Sequence, residues 1–479
     1  MTHRLYRWTH ACRSVIAATA AMVFATTAHA QPTDPPNIVL VIIDDLNNDI
    51  GYTGAAVHTP NIDRLAERGL MFTDAHCTSP VCNPSRTSLL LGQYPDKTGV
   101  LDNNTYFREV PGNADAVTLP QHFRENGYTT IAAGKIFHSG WRANKRHPAA
   151  KLADIEQSWD EYHEIEIGTP KAELGDRPWH RGRIQGWPAN AFKWGPIDVD
   201  DDETNDFRNA AFIGKQLATL DEAGPTLLAC GIYRPHLPFF APRPYFDLYD
   251  PDGVPELPGY LEGDADDLPA TGKKWANKAR LQKPLVDLGL WGEAVQAYRA
   301  STSFADACVG KILDAYETSP ERDNTYLVFI SDHGFQLGEK GAWLKFSFWD
   351  RSTRVPMIIV GPGIEPGVRK QTVSLIDLYP TVVGLAELDA PEGLDGRDLG
   401  PLIEGTAGDW AGLARVFHES MDNEAIIDAS FRYIRYVDGG EELYDRVADP
   451  HDWHNLANDP EYAEVLEKYR AMRHTARPE

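Results

Sequence analysis

The segment Ile38–Ile43 is a run of six apolar residues, five of them β-branched, that leads into two aspartates. Such a run is typical of a strand buried on both faces of a parallel sheet. Further strands are predicted at 128–133, 226–232, 325–330 and 355–360. Helical periodicity occurs between them at 59–68, 118–125, 204–222 and 291–317, with Gly69 and Gly127 at the expected C-terminal caps. Strands that alternate with helices predict an α/β fold with a mostly parallel sheet flanked by helices.

Two stretches interrupt this alternation. Residues 139–203 show no clear period and are rich in charge, proline, glycine and tryptophan, the last at Trp141, Trp159, Trp179, Trp187 and Trp194. This composition predicts a long irregular insertion over the face that carries the site. Its tryptophans suit packing in the core or loop, and stacking on sugar rings is the alternative. Residues 250–290 are expected to form a second such excursion.

The tail of the chain has a pattern of its own. Residues 431–437 and 442–445 read as strands, and 459–472 as a helix. We therefore predict a small C-terminal α+β subdomain with an antiparallel sheet at 405–479, after a larger domain at 31–404.

The N-terminus predicts export. Arg4, Arg7 and Arg13 precede an apolar run at 15–24, and Ala28-His-Ala30 follows that run. These are the parts of a secretory signal peptide at 1–30, which places the mature protein in the periplasm or outside the cell. A retained N-terminal anchor is the alternative. The run is too short to span a bilayer comfortably, so no stable membrane insertion is expected.

Charge and cysteine content narrow the partners. The formal net charge is −24, and loss of the three arginines at 1–30 makes it −27. This balance disfavours nucleic acid and anionic membranes as partners, and it requires any anion site to be a local pocket. Cys12 leaves with the predicted signal peptide, and the four cysteines of the mature chain are too few for a disulfide scaffold. Two of the four, Cys230 and Cys308, sit in apolar contexts that suit buried thiols.

Polar residues follow the predicted strands directly. Asp44 and Asp45 come after the first strand, and Asp332 and His333 follow the strand at 325–330. The carboxyl ends of parallel strands are where ligands bind in such folds. Carboxylates that meet there would repel one another, so a divalent metal ion is the simplest explanation. A cap or turn role for Asp44 and Asp45 is the alternative.

A cysteine is predicted at a helix N-terminus in the segment 82–92. Pro84 suits the first turn of a helix, which puts Cys82 where free backbone N–H groups favour an anion. Arg86, one turn further on, adds positive charge. These residues indicate an activated thiol beside an anion pocket, as in a phosphatase or a thiol enzyme. A buried structural cysteine is the competing interpretation.

The motif Cys82-x-Pro84-Ser85-Arg86 resembles the signature of the formylglycine-dependent type I sulfatases, in which the cysteine is converted to formylglycine. Two positions depart from the family pattern: Leu91 replaces the usual Thr, and His333 replaces the Asn of arylsulfatases. The second departure, with His138 and the phrase Tyr233–Pro238, is similar to the iduronate-2-sulfatase branch. Companion residues appear in family order over nearly the whole mature chain: Asp44, Asp45, Lys135, His138, His236, Asp332, His333, Gly334 and Lys345.

The resemblance implies an alkaline-phosphatase-like fold and one metal ion, Ca²⁺. Because a nitrogen ligand is unusual for calcium, Mg²⁺ and Mn²⁺ stay open. The implied ligands are Asp44, Asp45, Asp332, His333 and the formylglycine oxygen at Cys82. The implied catalytic groups are His138 as the base that helps to expel sulfate, His236 as the acid for the leaving oxygen, and Arg86, Lys135 and Lys345 around the sulfate.

The resemblance further implies a sulfated carbohydrate substrate, such as a 2-O-sulfated uronate, and a formylglycine-generating maturation enzyme as partner. Two other functions are compatible with the sequence. One is a phosphonate monoester or phosphodiester hydrolase of the same superfamily. The other is a catalytically inactive relative that binds carbohydrate, although the retained Lys135, His138, His236 and Lys345 argue against it.

Overall fold

A computed structural model describes residues 34–138, 149–163, 192–220, 224–250, 257, 259–278 and 280–473. The predicted signal peptide and most of the predicted insertion at 139–203 lie outside these ranges, as do three of its tryptophans, Trp141, Trp179 and Trp187. Among the helices in the described ranges, none is long and apolar enough to cross a membrane.

The strands of the described ranges are β1 (Asn37–Asp44), β2 (Leu70–Phe72), β3 (Ala75–His76), β4 (Thr129–Gly134), β5 (Glu161–His163), β6 (Trp194–Ile197), β7 (Thr226–Pro235), β8 (Phe239–Pro242), β9 (Thr325–Ser331), β10 (Gln336–Leu337), β11 (Trp343–Leu344), β12 (Arg354–Val355), β13 (Met357–Val360), β14 (Gly367–Arg369), β15 (Val373–Ser374), β16 (Ala414–His418), β17 (Ser420–Ile427), β18 (Phe431–Arg435) and β19 (Glu441–Asp445). The α-helices there are α1 (Pro60–Arg68), α2 (Cys82–Leu91), α3 (Pro95–Thr98), α4 (Leu119–Glu125), α5 (Ala149–Leu152), α6 (Ile155–Ser158), α7 (Asn205–Leu217), α8 (Arg243–Phe246), α9 (Ala270–Ala276), α10 (Gln282–Asp287), α11 (Trp291–Glu317), α12 (Asp350–Thr353), α13 (Leu378–Leu385), α14 (Gly400–Ile403) and α15 (Ala463–Met472).

Eight strands form the central sheet in the order β14-β2-β13-β9-β1-β7-β4-β5. The run from β9 to β5 is parallel throughout, and β13 pairs antiparallel with both β9 and β2. The predicted mostly parallel sheet is thus confirmed, with β13 as the exception.

Both faces of the sheet are covered, as the continuous apolar run predicts. Along β1, Ile38, Leu40 and Ile42 face one hydrophobic core, while Val39, Val41 and Ile43 face a second core. Helices α2, α4 and α13 pack into the first core, and α1, α7 and α11 into the second. This alternation satisfies the two-sided burial of a parallel strand.

The tail forms the expected antiparallel sheet, a four-stranded meander β16-β17-β18-β19, followed by α15. The sequence pattern indicated β18, β19 and α15 but not β16 or β17. The predicted excursion at 250–290 contains two short helices, α9 and α10. Trp159 and Trp194 are buried in the two cores, which favours the packing role over sugar stacking for these two. All four cysteines in the described ranges are buried free thiols.

A buried arginine joins the C-terminal sheet to the loop before α12. Arg432 lies 2.9 Å from Asp350 and 2.9 Å from Asp452, and it also donates to the carbonyl of Phe348. The side chain is fully buried. Removing one partner from such a group leaves the others as uncompensated buried charges.

We expect Arg432→Met to lower the free energy of unfolding by about 3–5 kcal/mol. Urea titration followed by circular dichroism measures this loss. Arg470→Ala is the matched control, because Arg470 pairs with Glu441 on the surface and should contribute less than about 1 kcal/mol. Equal losses for the two variants would show that the buried cluster adds no stability.

Candidate active site

Polar residues lie where neighbouring strands of the central sheet end. Asp44 is the last residue of β1, and Asp45 follows with a left-handed backbone, φ 66°. Lys135 follows β4, and Asp332 follows β9. Because β4, β7, β1 and β9 are adjacent and parallel, their carboxyl ends meet at one edge of the sheet. The structure therefore brings these residues together.

Two glycines allow the chain to leave β4 close to β7. Gly134 pairs with Gly231 and has φ 73°, and a Cβ on it would lie 2.0 Å from the Gly231 carbonyl oxygen. A Cβ on Gly231 would lie 2.0 Å from the carbonyl oxygen of Lys135. Only glycine fits both positions, and this close approach sets the direction in which Lys135 leaves the sheet.

Cys82 begins helix α2, and its side chain is buried at the helix N-terminus. Its Sγ lies 3.3 Å from His333 Nε2 and 3.4 Å from Lys345 Nζ, and His138 hydrogen-bonds to it. Burial raises the pKa of the thiol, but the cationic neighbours Lys135, Lys345 and His333 outweigh burial and hold this pKa well below its ordinary value. The pocket therefore stabilises an anion at this position.

Two buried lysines neutralise the aspartate pair. Lys135 Nζ lies 2.5 Å from Asp44 Oδ2, and Lys345 Nζ lies 2.5 Å from Asp45 Oδ1. Burial raises the pKa of Asp44, but Lys135 and the other nearby cations outweigh it and hold this pKa below its usual range. The Asp44 carboxylate is thus ionised, and each aspartate of the pair is matched by a lysine, as burial of a charge requires.

Arg86 connects helix α2 to the ends of two strands. Its Nε donates to Asp332 Oδ2 at 2.7 Å, its Nη1 donates to the carbonyl of Ile136, and its Nη2 lies 3.6 Å from Asp44 Oδ1. The guanidinium is fully buried. Asp332 also accepts the backbone N–H of Asp45 at 3.2 Å. Arg86 and Asp332 together fix the positions of α2, β1 and β9 at this edge.

The donor set fits a divalent metal ion. Asp44, Asp45, Cys82 and His333 each offer one donor atom, and these atoms lie within 4.8 Å of one another. Asp44 Oδ1 is buried and accepts no hydrogen bond from any residue that the structure describes. His333 Nδ1 lies 3.0 Å from the Gly334 carbonyl, so Nδ1 carries a proton and Nε2 faces the Cys82 side chain. Although burial opposes the shift, Asp332 and Cys82 raise the pKa of His333 to about 9, so Nε2 would have to give up its proton before it could bind a metal ion. Carboxylates with one imidazole suit Mg²⁺, Mn²⁺ or Ca²⁺.

Asp332, the fifth predicted ligand, lies beside this group. Its Oδ2 is 3.6 Å from His333 Nε2 while it accepts from Arg86. Burial raises the pKa of Asp332 to about 6 even though Arg86 opposes this shift. The ligand roles of Asp332 and of the other four residues stay predictions.

The two histidines with predicted proton-transfer roles lie after the carboxyl ends of two adjacent strands, β4 and β7. His236 follows β7, and its Nε2 lies 3.8 Å from Asp45 Oδ2 with 22% of the side chain exposed. Its Nδ1 lies 2.7 Å from the carbonyl of Leu237, so Nδ1 donates and Nε2 faces the site. His138 follows β4 and contacts Cys82, as described above.

Tyr233 is a site neighbour whose role the sequence pattern did not indicate. Its ring centroid lies 4.6 Å from that of His236, and the Lys135 ammonium lies 5.5 Å from the ring centroid. The Tyr233 backbone N–H donates to the buried carboxylate of Asp206. In the sequence, Tyr233 stands out only as the first residue of the segment Tyr233–Pro238 that resembles the iduronate-2-sulfatase branch. A tyrosine at a strand end has no sequence pattern that marks it as a site residue.

The fold belongs to the alkaline-phosphatase-like class: its central sheet is mostly parallel, a buried cysteine begins a helix beside the sheet, and carboxylates lie at adjacent strand ends. The profile of the Sulfatase family matches residues 36–388, and that of "N-sulphoglucosamine sulphohydrolase, C-terminal" matches residues 338–477. The chain belongs to the sulfatase family, as the motif at Cys82 predicted, and it is a sulfuric ester hydrolase.

Individual relatives agree with this assignment. A sulfatase of Formosa agariphila is 31% identical over 92% of this chain and 86% of its own length. The human iduronate 2-sulfatase is 31% identical over 79% of this chain and 74% of its own length. Among solved structures, a phosphonate monoester hydrolase from Silicibacter pomeroyi matches with a TM-score of 0.75 and 24% identity, covering 91% of this chain and 94% of that one. This last likeness bears on the fold alone.

Proposed function

We propose that this sulfatase removes a sulfate ester from a sugar, with a 2-O-sulfated uronate as the specific candidate, through a formylglycine made from Cys82. The observation that carries the proposal is the Cys82 side chain, buried at a helix N-terminus within 3.4 Å of both His333 and Lys345. The carbohydrate class is supported by relatives such as the human iduronate 2-sulfatase. A maturation enzyme would make the modification, and the signal peptide predicted at 1–30 would direct export.

The modification explains why a cysteine stands at this position. A hydrated aldehyde at residue 82 supplies two hydroxyls on one carbon, one to accept the sulfate group and one whose deprotonation releases it. A divalent ion bound by the carboxylates would supply positive charge beside the attacking oxygen. Serine would lack the second hydroxyl, and release would then depend on water attacking a hindered sulfate ester.

Each basic residue can contribute a distinct part of the reaction. Burial lowers the pKa of His138, so its imidazole is neutral at neutral pH and can accept a proton beside residue 82. The His236 side chain is partly exposed and its Nε2 faces the site, where it can give a proton to the leaving alcohol oxygen. Lys135, Lys345 and Arg86 provide fixed positive charge for the sulfate oxygens.

The test compares two ester classes with the same leaving group. Protein coexpressed with a formylglycine-generating enzyme should hydrolyse 4-nitrophenyl sulfate with a kcat/KM at least about 100-fold above that for 4-nitrophenyl phenylphosphonate. A disaccharide sulfated at O2 of its uronate should be a better substrate than the same disaccharide sulfated at O6 of its hexosamine instead. Preference for the phosphonate would make the protein a phosphonate monoester hydrolase, and equal rates on the two disaccharides would contradict the 2-O assignment.

A further inference from the structure

Lys345 lies between two residues with unusual backbone conformations. Leu344 has φ 77° and Phe346 has φ 80°, a left-handed region that residues other than glycine rarely adopt. Such conformations persist where the surrounding structure holds them, and they cluster at functional sites. The geometry of the Lys345 ammonium, 2.5 Å from Asp45 and 3.4 Å from Cys82, therefore depends on what holds its two neighbours.

Leu344 is held by strand pairing. It lies in β11, which pairs antiparallel with β10, and its partner in the register is Gln336. β10 begins three residues after His333. The hairpin of β10 and β11 therefore connects the residue before Lys345 to the segment that carries His333, a predicted metal ligand. Phe346 lies beyond the hairpin and has no strand to hold it.

Phe346 is instead held through its ring by the C-terminal sheet. The ring stacks on His418 at the end of β16, with centroids 5.9 Å apart and an interplanar angle of 29°. The Lys278 ammonium lies 4.8 Å from the Phe346 ring centroid and 2.5 Å from Glu419, the residue after His418. Cation–π contact and stacking thus fix the ring from two chain segments distant in sequence.

His418 provides an uncharged aromatic surface on which the Phe346 ring stacks. Its ring is buried, packs edge-to-face against Trp275 at 4.9 Å, and makes no nitrogen hydrogen bond to any of the described residues. Burial and the nearby Lys278 lower the pKa of His418 to about 3. We name the set Lys278, Phe346 and His418 the Phe346 clamp.

We propose that Phe346 is a positioning residue for Lys345: the Phe346 clamp fixes the left-handed turn that directs the Lys345 ammonium to the reaction centre. This inference rests on the proposed function, in which Lys345 binds the sulfate group. It also gives the C-terminal sheet a part in catalysis, because β16 carries one wall of the clamp.

A double-mutant cycle tests the inference in the matured full-length enzyme. Phe346→Leu should lower kcat/KM for 4-nitrophenyl sulfate about 10–100-fold and weaken competitive inhibition by inorganic sulfate, whereas Phe346→Tyr, which keeps the ring, should stay within about 2-fold of wild type. In a Lys345→Met background, Phe346→Leu should change kcat/KM by less than about 2-fold, because the group that it positions is gone.

Phe431→Leu is the matched control. Phe431 is a half-buried phenylalanine in β18 of the C-terminal sheet. It packs on Tyr462 and Tyr469, away from the site. Equal losses of kcat/KM for Phe346→Leu in the wild-type and Lys345→Met backgrounds would overturn the inference. So would a loss no larger than that of Phe431→Leu at the same melting temperature.

A surface variant covers the case in which Phe346→Leu does not fold. Lys278→Ala removes the cation from the ring and should lower kcat/KM about 2–5-fold, while Lys283→Ala, which loses an exposed ion pair, should leave it unchanged. No difference between these lysine variants would count against the clamp. Failure of the proposed function is distinguishable, since the wild-type enzyme itself would then not hydrolyse the sulfate ester.

Discussion

Cys82→Ala is expected to lower kcat for sulfate-ester hydrolysis by at least about 10⁴-fold, because alanine has no thiol for the maturation enzyme to oxidise and the aldehyde that carries the nucleophile cannot form. The melting temperature should change by only a few degrees, since the substitution is small and Arg86 still ties α2 to Asp332. Steady-state kinetics on 4-nitrophenyl sulfate and a thermal melt measure the two effects. Mass spectrometry of the wild-type peptide across residue 82 should show the thiol replaced by an aldehyde.

Cys230→Ala is the matched control, because Cys230 is an equally buried free thiol in β7 that packs in the second hydrophobic core. It should keep activity within about 2-fold while losing some stability. Cys82→Ser should accept sulfate once and gain the mass of one SO₃ group, because the second hydroxyl that releases it is missing. Full turnover by Cys82→Ala, or by a wild-type protein whose Cys82 remains a thiol, would contradict the formylglycine proposal.

Metal removal is expected to lower activity at least about 10³-fold without unfolding the protein. The carboxylates of Asp44 and Asp45 are already paired with Lys135 and Lys345, so chelation leaves no isolated buried charge. A bound ligand at free concentration L stabilises the folded state by RT ln(1 + L/Kd), about 2.7 kcal/mol when L is 100 times Kd, so the melting temperature should fall by a few degrees when the metal is removed. Activity after EDTA and dialysis, with metal content measured by mass spectrometry, checks the first statement.

Readdition of single cations then identifies the metal. Ca²⁺ should restore activity, and Mg²⁺ or Mn²⁺ restoring it better would replace calcium in the proposal. Magnesium demands near-octahedral geometry and calcium tolerates six to eight ligands, so the order of restoration reports on the flexibility of the site. Full activity in metal-free protein would remove the metal from the mechanism, and unfolding on chelation would contradict the stabilising role of Lys135 and Lys345.

Much of the fold was predictable because its signals are local. The apolar run before Asp44 identified β1 to within a residue or two, and helical periodicity gave α11 its observed bounds, 291–317. The antiparallel direction of β13 was not predictable, because an apolar run of four residues carries no record of its pairing partners. The strands β16 and β17 were missed for a similar reason, since β17 takes its register from β18 and β16 takes its register from β17.

The candidate site divides in the same way. Asp44, Asp45 and Asp332 could be placed together in advance, since parallel strands end at one edge of a sheet. The pairing of Lys345 with Asp45 spans 300 residues of chain, and no spacing rule connects them. The Tyr233 ring contacts His236 and the Phe346 ring contacts His418. Because these contacts are made in the folded chain, no sequence pattern marks either residue.

By itself, the sequence determined the class of fold, the family and the identity of the groups at the strand ends, because hydrophobic period and motif spacing are properties of short segments. Only the tertiary structure decided which cation pairs with which carboxylate, that Arg86 binds Asp332, and that the His418 ring of the C-terminal sheet stacks on Phe346, the residue after Lys345. These pairings depend on distances between segments hundreds of residues apart, and such distances are set by packing of the whole core.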